Sequence, residues 1–133
     1  MEDCIFCKII NNEIPSYKIY EDDDVLAFLD ISQVTKGHTL VIPKKHAKNL
    51  YEIASEDLIK VHQVVQELTC ELTEKFNAQG VNIINNNHEA AGQTVFHYHV
   101  HIIPRYDEND QLTLKFGSDS KIDPQLVFNE FNK

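Results

Sequence analysis

Basic residues are scarce in this chain. Its 133 residues hold 12 Lys and Arg against 21 Asp and Glu, a formal net charge of −9. That balance argues against bulk electrostatic attraction to nucleic acid or to an anionic membrane surface, while a single locally favourable anion site stays open. Long apolar runs are missing too; none nears the roughly 20 residues that a bilayer-spanning helix needs. The start, Met1-Glu2-Asp3-Cys4, has no basic-then-apolar leader pattern. The expectation is a cytoplasmic protein with no nucleic-acid and no membrane partner. Cysteine is sparse and odd in number, namely Cys4, Cys7 and Cys70, which argues against a disulfide framework and turns attention to metal. There is no internal repeat, low-complexity tract or linker. With 42% hydrophobic and 25% charged residues, the composition fits one globular domain over 1–133.

Against these absences stands one dense stretch, His97-Tyr98-His99-Val100-His101-Ile102-Ile103. Side chains alternate faces along a strand, so this spacing puts His97, His99 and His101 in one row. Tyr98, Val100 and Ile102 go to the opposite face, where they can pack. Val, Ile and Tyr favour the strand.

The rest of the chain supplies a frame. Apolar residues at near-helical spacing predict a short helix within 4–12, ended by Ile14-Pro15. Strands follow over 17–20 and 25–29, joined by an acidic turn as an antiparallel hairpin, with a third over 38–42. Leu58, Val61, Val65, Leu68, Leu72 and Phe76 form one apolar stripe, predicting the longest helix over 55–77. Ser55 is its expected N-cap, Gly80 closes the segment, and Glu71 and Lys75 make an i,i+4 pair. Cys70 within it reads as a buried or half-buried thiol. A fourth strand is expected over 81–85, a polar loop over 86–94, and a fifth strand over 96–103 that Pro104 stops. A short strand over 112–116 and a last helix after Asp123-Pro124 complete the pattern. Strands and helices do not alternate regularly, which favours α+β with an antiparallel sheet.

Three chemistries compete for the histidines. Cys4 and Cys7 have zinc-knuckle spacing; His46 could meet them, with His97 as fourth ligand. Alternatively, the row itself could bind a catalytic metal that activates water. The third option is nucleophilic catalysis, in which a neutral imidazole attacks phosphorus while its second nitrogen is held by an acceptor. Gly92-Gln93-Thr94 precedes the row and offers an amide, a hydroxyl and backbone N–H groups, the neutral donors that a phosphoryl group requires. His62 and His88 are left as surface or helix histidines.

The row resembles the signature of the histidine-triad (HIT) superfamily. Further resemblance lies in Cys4-Ile5-Phe6-Cys7-Lys8-Ile9-Ile10, Glu13-Ile14-Pro15, Phe28-Leu29-Asp30-Ile31, the stretch from Gly37-His38-Thr39 to Lys44-Lys45-His46, and Gly92-Gln93-Thr94-Val95-Phe96-His97. The chain is most similar to the Hint-like branch, purine nucleoside phosphoramidases, in its zinc-bearing bacterial form. That resemblance implies a HIT-like five-stranded antiparallel sheet with one long and one or more short helices, and a homodimer whose sheets join. It implies His99 as a nucleophile forming a nucleotidyl-histidine, with His101, Gln93 and Thr94 at the phosphate and leaving group. His38 would support the triad, and Asn86 and Gly92 would line the phosphate pocket. Asp30 would bind the ribose. Ile5, Phe6, Ile9, Ile14, Phe28 and Ile31 would wall the purine. Cys4, Cys7, His46 and His97 would hold a structural zinc that the chemistry itself does not require. Residues 105–133 form a tail that the resemblance does not cover.

Overall fold

Alternation along the strands decides the architecture. The computed structural model describes residues 3–133, so the acidic start at Met1 and Glu2 lies outside the described residues. Strands β1 (Lys18–Glu21), β2 (Val25–Leu29), β3 (Thr39–Pro43), β4 (Gly80–Ile84) and β5 (Val100–Arg105) form one antiparallel sheet in the order β1-β2-β3-β5-β4. Helices α1 (Ile5–Ile10), α2 (Ser55–Phe76) and α3 (Pro124–Phe131) surround or follow it. The expected α+β class, with a five-stranded antiparallel sheet and one long helix, is borne out. No helix among the described residues is long and apolar enough to cross a membrane.

Each sheet face has its own core. On one, Val25, Ala27, Val41, Val100 and Ile102 pack with Tyr98 against Val61, Val64, Val65, Leu68 and Leu72 of α2. On the other, Leu26, Phe28, Leu40 and Ile42 pack against Phe6 and Ile9 of α1. Leu40 pairs directly with His101 across β3 and β5, so His101 shares the α1 face. The β1–β2 turn is closed by Asp22, whose Oδ1 accepts from the backbone N–H of Asp24 at 2.7 Å and of Val25 at 2.8 Å. Gly37 has φ +95°, and a Cβ there would stand 2.9 Å from the Phe76 ring, so both backbone and space require glycine.

Several local expectations are corrected. Strand β5 begins at Val100 rather than 96, because β3 ends at Pro43 and the Tyr98 N–H turns instead to the Ala47 carbonyl, 2.7 Å away. The alternation of the row survives this departure from the ladder. Pro104 does not stop the strand; it pairs with Val81 of β4. On its other side the β3 ladder has already ended at the Thr39–Ile102 pair, and a strand with an open side tolerates proline. Ser55 is the first helical residue of α2, and its N-cap is Ala54, with no side-chain cap bond. The helix closes on Asn77 in the left-handed conformation (φ 55°), which asparagine accepts; Gly80 starts β4. Cys70 is exposed. No strand forms over 112–116, where Leu114 and Phe116 are exposed and no ladder partner is at hand. Helix α3 starts as expected, with Asp123 Oδ1 accepting from the Gln125 N–H at 2.9 Å.

Candidate active site and metal cluster

The histidine row lies on the α1 face, and its three members part company there. His97 is fully buried (0% exposed). Its Nε2 lies 2.8 Å from the Pro43 carbonyl. A carbonyl only accepts, so Nε2 carries the proton and Nδ1 keeps a lone pair. That Nδ1 is 3.3 Å from Cys4 Sγ, 3.6 Å from Cys7 Sγ and 3.1 Å from His46 Nδ1, while Cys7 Sγ is 3.4 Å from His46 Nδ1. Tetrahedral zinc with ordinary bond lengths separates its ligands by about 3.4 Å for N–N and about 3.6 Å for S–N. The four spacings lie within about 0.3 Å of those values, so the residues fit the ion, and all four donor atoms lie within 4.8 Å of one another. Burial pushes the His97 imidazole down from 6.5 to about 4 and lowers His46 as well, keeping both neutral. Burial, with the neighbouring Cys4, pushes the Cys7 thiol up to about 11; a bound cation reverses that preference and holds the thiolate. Cys4 caps helix α1, its Sγ accepting from the Cys7 N–H at 3.3 Å.

His99 faces a different environment. Its Nδ1 is 2.7 Å from the backbone carbonyl of His97, so Nδ1 carries the proton and Nε2 is left with its lone pair. Burial lowers its pKa below the ordinary histidine value, which keeps the ring neutral. Phe6 meets it edge-on at 5.1 Å, and meets His97 at 5.9 Å and Phe28 at 5.5 Å. Asn85 Nδ2 donates to the His99 carbonyl at 3.0 Å, tying the nucleophile candidate to the end of β4.

His101 Nδ1 lies 2.9 Å from His38 Nε2, and His38 Nδ1 lies 3.2 Å from the Ser32 carbonyl. The carbonyl takes the His38 Nδ1 proton, so His38 Nε2 accepts from His101 and leaves His101 Nε2 with a lone pair. The Val34 N–H is 3.5 Å from the same His38 nitrogen, at the limit of hydrogen bonding, and the closer carbonyl sets the tautomer. Burial, reinforced by His99 and His38, pushes His101 down to about 4. Asp30 Oδ1 accepts from the Ser32 N–H at 2.8 Å, and Oδ2 stands 3.7 Å from His38 Nε2.

A cavity of about 410 Å³ joins these groups, a size suited to a small ligand. Ile5, Phe6, Ile9, Ile14, Phe28 and Ile31 supply its apolar wall; Asp30, Asn86, Gly92, Thr94, His99 and His101 line the polar part. Gly92 has φ +95°, so the loop bend needs glycine. Two expected residues do not line the cavity: His38, which stands behind His101, and Gln93. Gln93 is 2% exposed; its Oε1 accepts from the His88 N–H at 2.8 Å and its Nε2 donates to the Lys48 and Val95 carbonyls at 2.7 and 3.1 Å. Its amide is spent shaping the loop rather than facing a phosphate. The three histidines of the row do not converge on one point among the described residues, which removes the reading of a metal bound by the row.

Sequence reasoning missed Pro15, Ser16, Leu29, Leu40 and Val95 in the cavity wall. Ser16 Oγ is buried without a hydrogen-bond partner among the described residues. It also missed that main-chain carbonyls of Ser32 and His97 set the imidazole tautomers. Residue type carries no signal for a carbonyl. His62, left as a helix histidine, pairs its Nε2 with the Tyr98 hydroxyl at 2.8 Å, bracing the row from the other face.

A family model described as HIT domain matches residues 11–108. The chain is 58% identical over 109 residues to Protein hit of Bacillus subtilis, covering 82% of this chain and 75% of that protein. It is 42% identical over 109 residues to an adenosine 5′-monophosphoramidase of Candida albicans, covering 79% and 72%. The fold superposes on a HIT family protein from Bacillus anthracis with a TM-score of 0.92 at 47% identity, covering 98% of this chain and 94% of that one. A zinc-bound histidine triad family protein from Mycobacterium smegmatis gives 0.78 at 39% identity, covering 89% and 85%.

Proposed function

The chain belongs to the HIT family, and from that premise we propose that it is a nucleotide-binding hydrolase that cleaves nucleoside 5′-phosphoramidates, or related bonds between a nucleotide and a leaving group, through a nucleotidyl-His99 intermediate. One observation carries the reading: His99 is buried at the cavity wall with its Nδ1 proton committed to the His97 carbonyl, so Nε2 is the free nucleophile. The relative of Candida albicans named as an adenosine 5′-monophosphoramidase supports it.

In this reading the purine packs against Phe6, Ile9 and Phe28, and Asp30 takes the ribose hydroxyls. The phosphoryl oxygens face the loop at Asn86, Gly92 and Thr94, and the lone pair of His101 Nε2 accepts from the N–H of the leaving nitrogen. His99 Nε2 attacks phosphorus as the bond to the leaving nitrogen breaks and that nitrogen takes a proton from solvent. Water then cleaves the N–P bond, so the sum is hydrolysis to a nucleoside monophosphate and an amine. The Asn86 amide and the Thr94 hydroxyl, both on the cavity wall, offer neutral donors suited to spreading negative charge. Zinc held by Cys4, Cys7, His46 and His97 would supply no chemistry; it would clamp α1, and with it the base wall, to the sheet. Two reduced cysteines as ligands suit the cytoplasm. A homodimer joined through the sheets would place the exposed edge β4, with Ile83 at 45% exposure, at the interface.

Rapid quenching after mixing with adenosine 5′-phosphoramidate is expected to trap an adenylate on His99, detected by peptide mass. His99→Ala should lower turnover by about a thousandfold or more while AMP still binds. Unimpaired turnover in His99→Ala overturns the mechanism. AMP binding without turnover across a broad nucleotide panel would instead make the protein a non-catalytic nucleotide-binding protein.

A further inference from the structure

A second group of ligands lies apart from the cysteine cluster. Asp30, His38 and His101 bring one donor atom each to within 4.8 Å of one another. His38 Nε2 stands 2.9 Å from His101 Nδ1 and 3.7 Å from Asp30 Oδ2. Donors held about 2.1 Å from one ion are separated by about 3.0 to 3.6 Å when the bond angles run from about 90 to 120°. The two observed spacings bracket that range.

The outer contacts also match a metal site. Ligating imidazoles usually donate their second nitrogen to a carbonyl, and ligating carboxylates are themselves hydrogen-bonded. Here the Ser32 carbonyl takes the His38 Nδ1 proton, and the Ser32 N–H holds Asp30 Oδ1 at 2.8 Å, leaving Oδ2 turned toward the histidines. One short turn therefore orients two of the three ligands. His38 is 3% exposed and so has little freedom to move, whereas Asp30 and His101 open onto the cavity, which gives an ion both a route in and room for water or a further ligand.

We propose that Asp30, His38 and His101 form a second divalent-cation site, selective for borderline transition metals such as Zn²⁺ and Co²⁺, whose occupancy excludes nucleotide. Two imidazoles and one carboxylate suit those ions rather than Mg²⁺ or Ca²⁺. The ion takes the place of the proton shared by the two rings. The proton on His101 Nδ1 moves to Nε2 through solvent, so no net proton need be released. Asp30 is thereby withdrawn from the ribose, and it is this loss that excludes nucleotide. The exclusion of nucleotide rests on the functional reading above; the metal site itself does not.

Cobalt titration of metal-stripped protein distinguishes the two sites. The first equivalent is expected to show the intense thiolate charge-transfer absorption of the cysteine cluster. The second should add only weak ligand-field bands, since its donors are nitrogen and oxygen. His38→Gln and Asp30→Asn should each weaken the second equivalent by about tenfold or more while sparing the first. Asp30 is at the rim, so its variant keeps the test valid should His38→Gln fail to fold. Saturating AMP should weaken the second equivalent alone. A titration that ends at one equivalent, or a second equivalent indifferent to both variants, overturns the site. A second equivalent that responds to the variants but not to AMP overturns the exclusion. Calorimetry of AMP binding to protein holding one equivalent separates that last result from failure of the functional reading, which would show as no AMP binding at all.

Discussion

The two faces of the sheet are made by the same strands yet are held closed by different means. The α2 face is covered by 22 helical residues, five of them buried, each contributing roughly 1.5–3 kcal/mol through burial. The α1 face is covered by a helix of six residues with two buried, Phe6 and Ile9. A helix that short does not persist on its own in water. What holds it is the cluster at its start, where Cys4 and Cys7 meet His46 and His97. One face is a closed apolar core. The other is thinly covered, carries the buried imidazoles and opens a cavity, and it has a cluster that could coordinate a metal where the first has area. A reactive surface can therefore be built beside an inert one without thickening the domain.

Removing the metal tests this contrast most severely. Cys7→Ala, or chelation of the native protein, is expected to cost about 4 kcal/mol or more and to raise amide hydrogen exchange over α1 while α2 stays protected. Equal loosening of both faces would break the comparison. Leu68→Ala strikes the opposite face, where Leu68 is 4% exposed; it should cost about 2–4 kcal/mol in denaturant unfolding and leave zinc stoichiometry unchanged. Acid acts most gradually, as a slope rather than a step. His97 and His101 are held near 4 in the folded chain against 6.5 when exposed. Between those values the unfolded chain binds protons that the folded chain refuses, so stability is full above 6.5 and declines as pH falls toward about 4. The slope is at most about 1.4 kcal/mol per pH unit for each group. Urea midpoints of metal-stripped protein across that interval measure it, and a flat profile would show that the imidazoles are not shielded as described.

Much of this was legible in residue order. The alternation of His97 to Ile103 assigned both faces correctly even though half of it lies off the ladder, because alternation reports backbone extension rather than sheet membership. The stripe from Leu58 to Phe76 located α2 to within a residue. The cysteine spacing and His46 found the metal cluster, since ligand type is written in side chains. What escaped were matters decided by neighbours. Pro104 sits in a strand because β3 stops short of it, and Leu112 to Phe116 stays unpaired because no strand lies alongside. Gln93 has the amide that a phosphate site wants, but three backbone groups claim it first. The tautomers of His38 and His99 depend on carbonyls whose positions only the fold supplies.

The bond from His99 to the His97 carbonyl has a consequence for how such a chain can change over generations. His97 can serve a metal with its side chain, and its main chain holds the neighbouring imidazole. The first role can be lost by mutation; the second cannot, since every residue at position 97 brings the same carbonyl. Descendants that exchange Cys4, Cys7, His46 and His97 for well-packed apolar residues can abandon the ion and still keep His99 aimed. The scaffold can thus lose the cluster without disturbing the bond that orients His99.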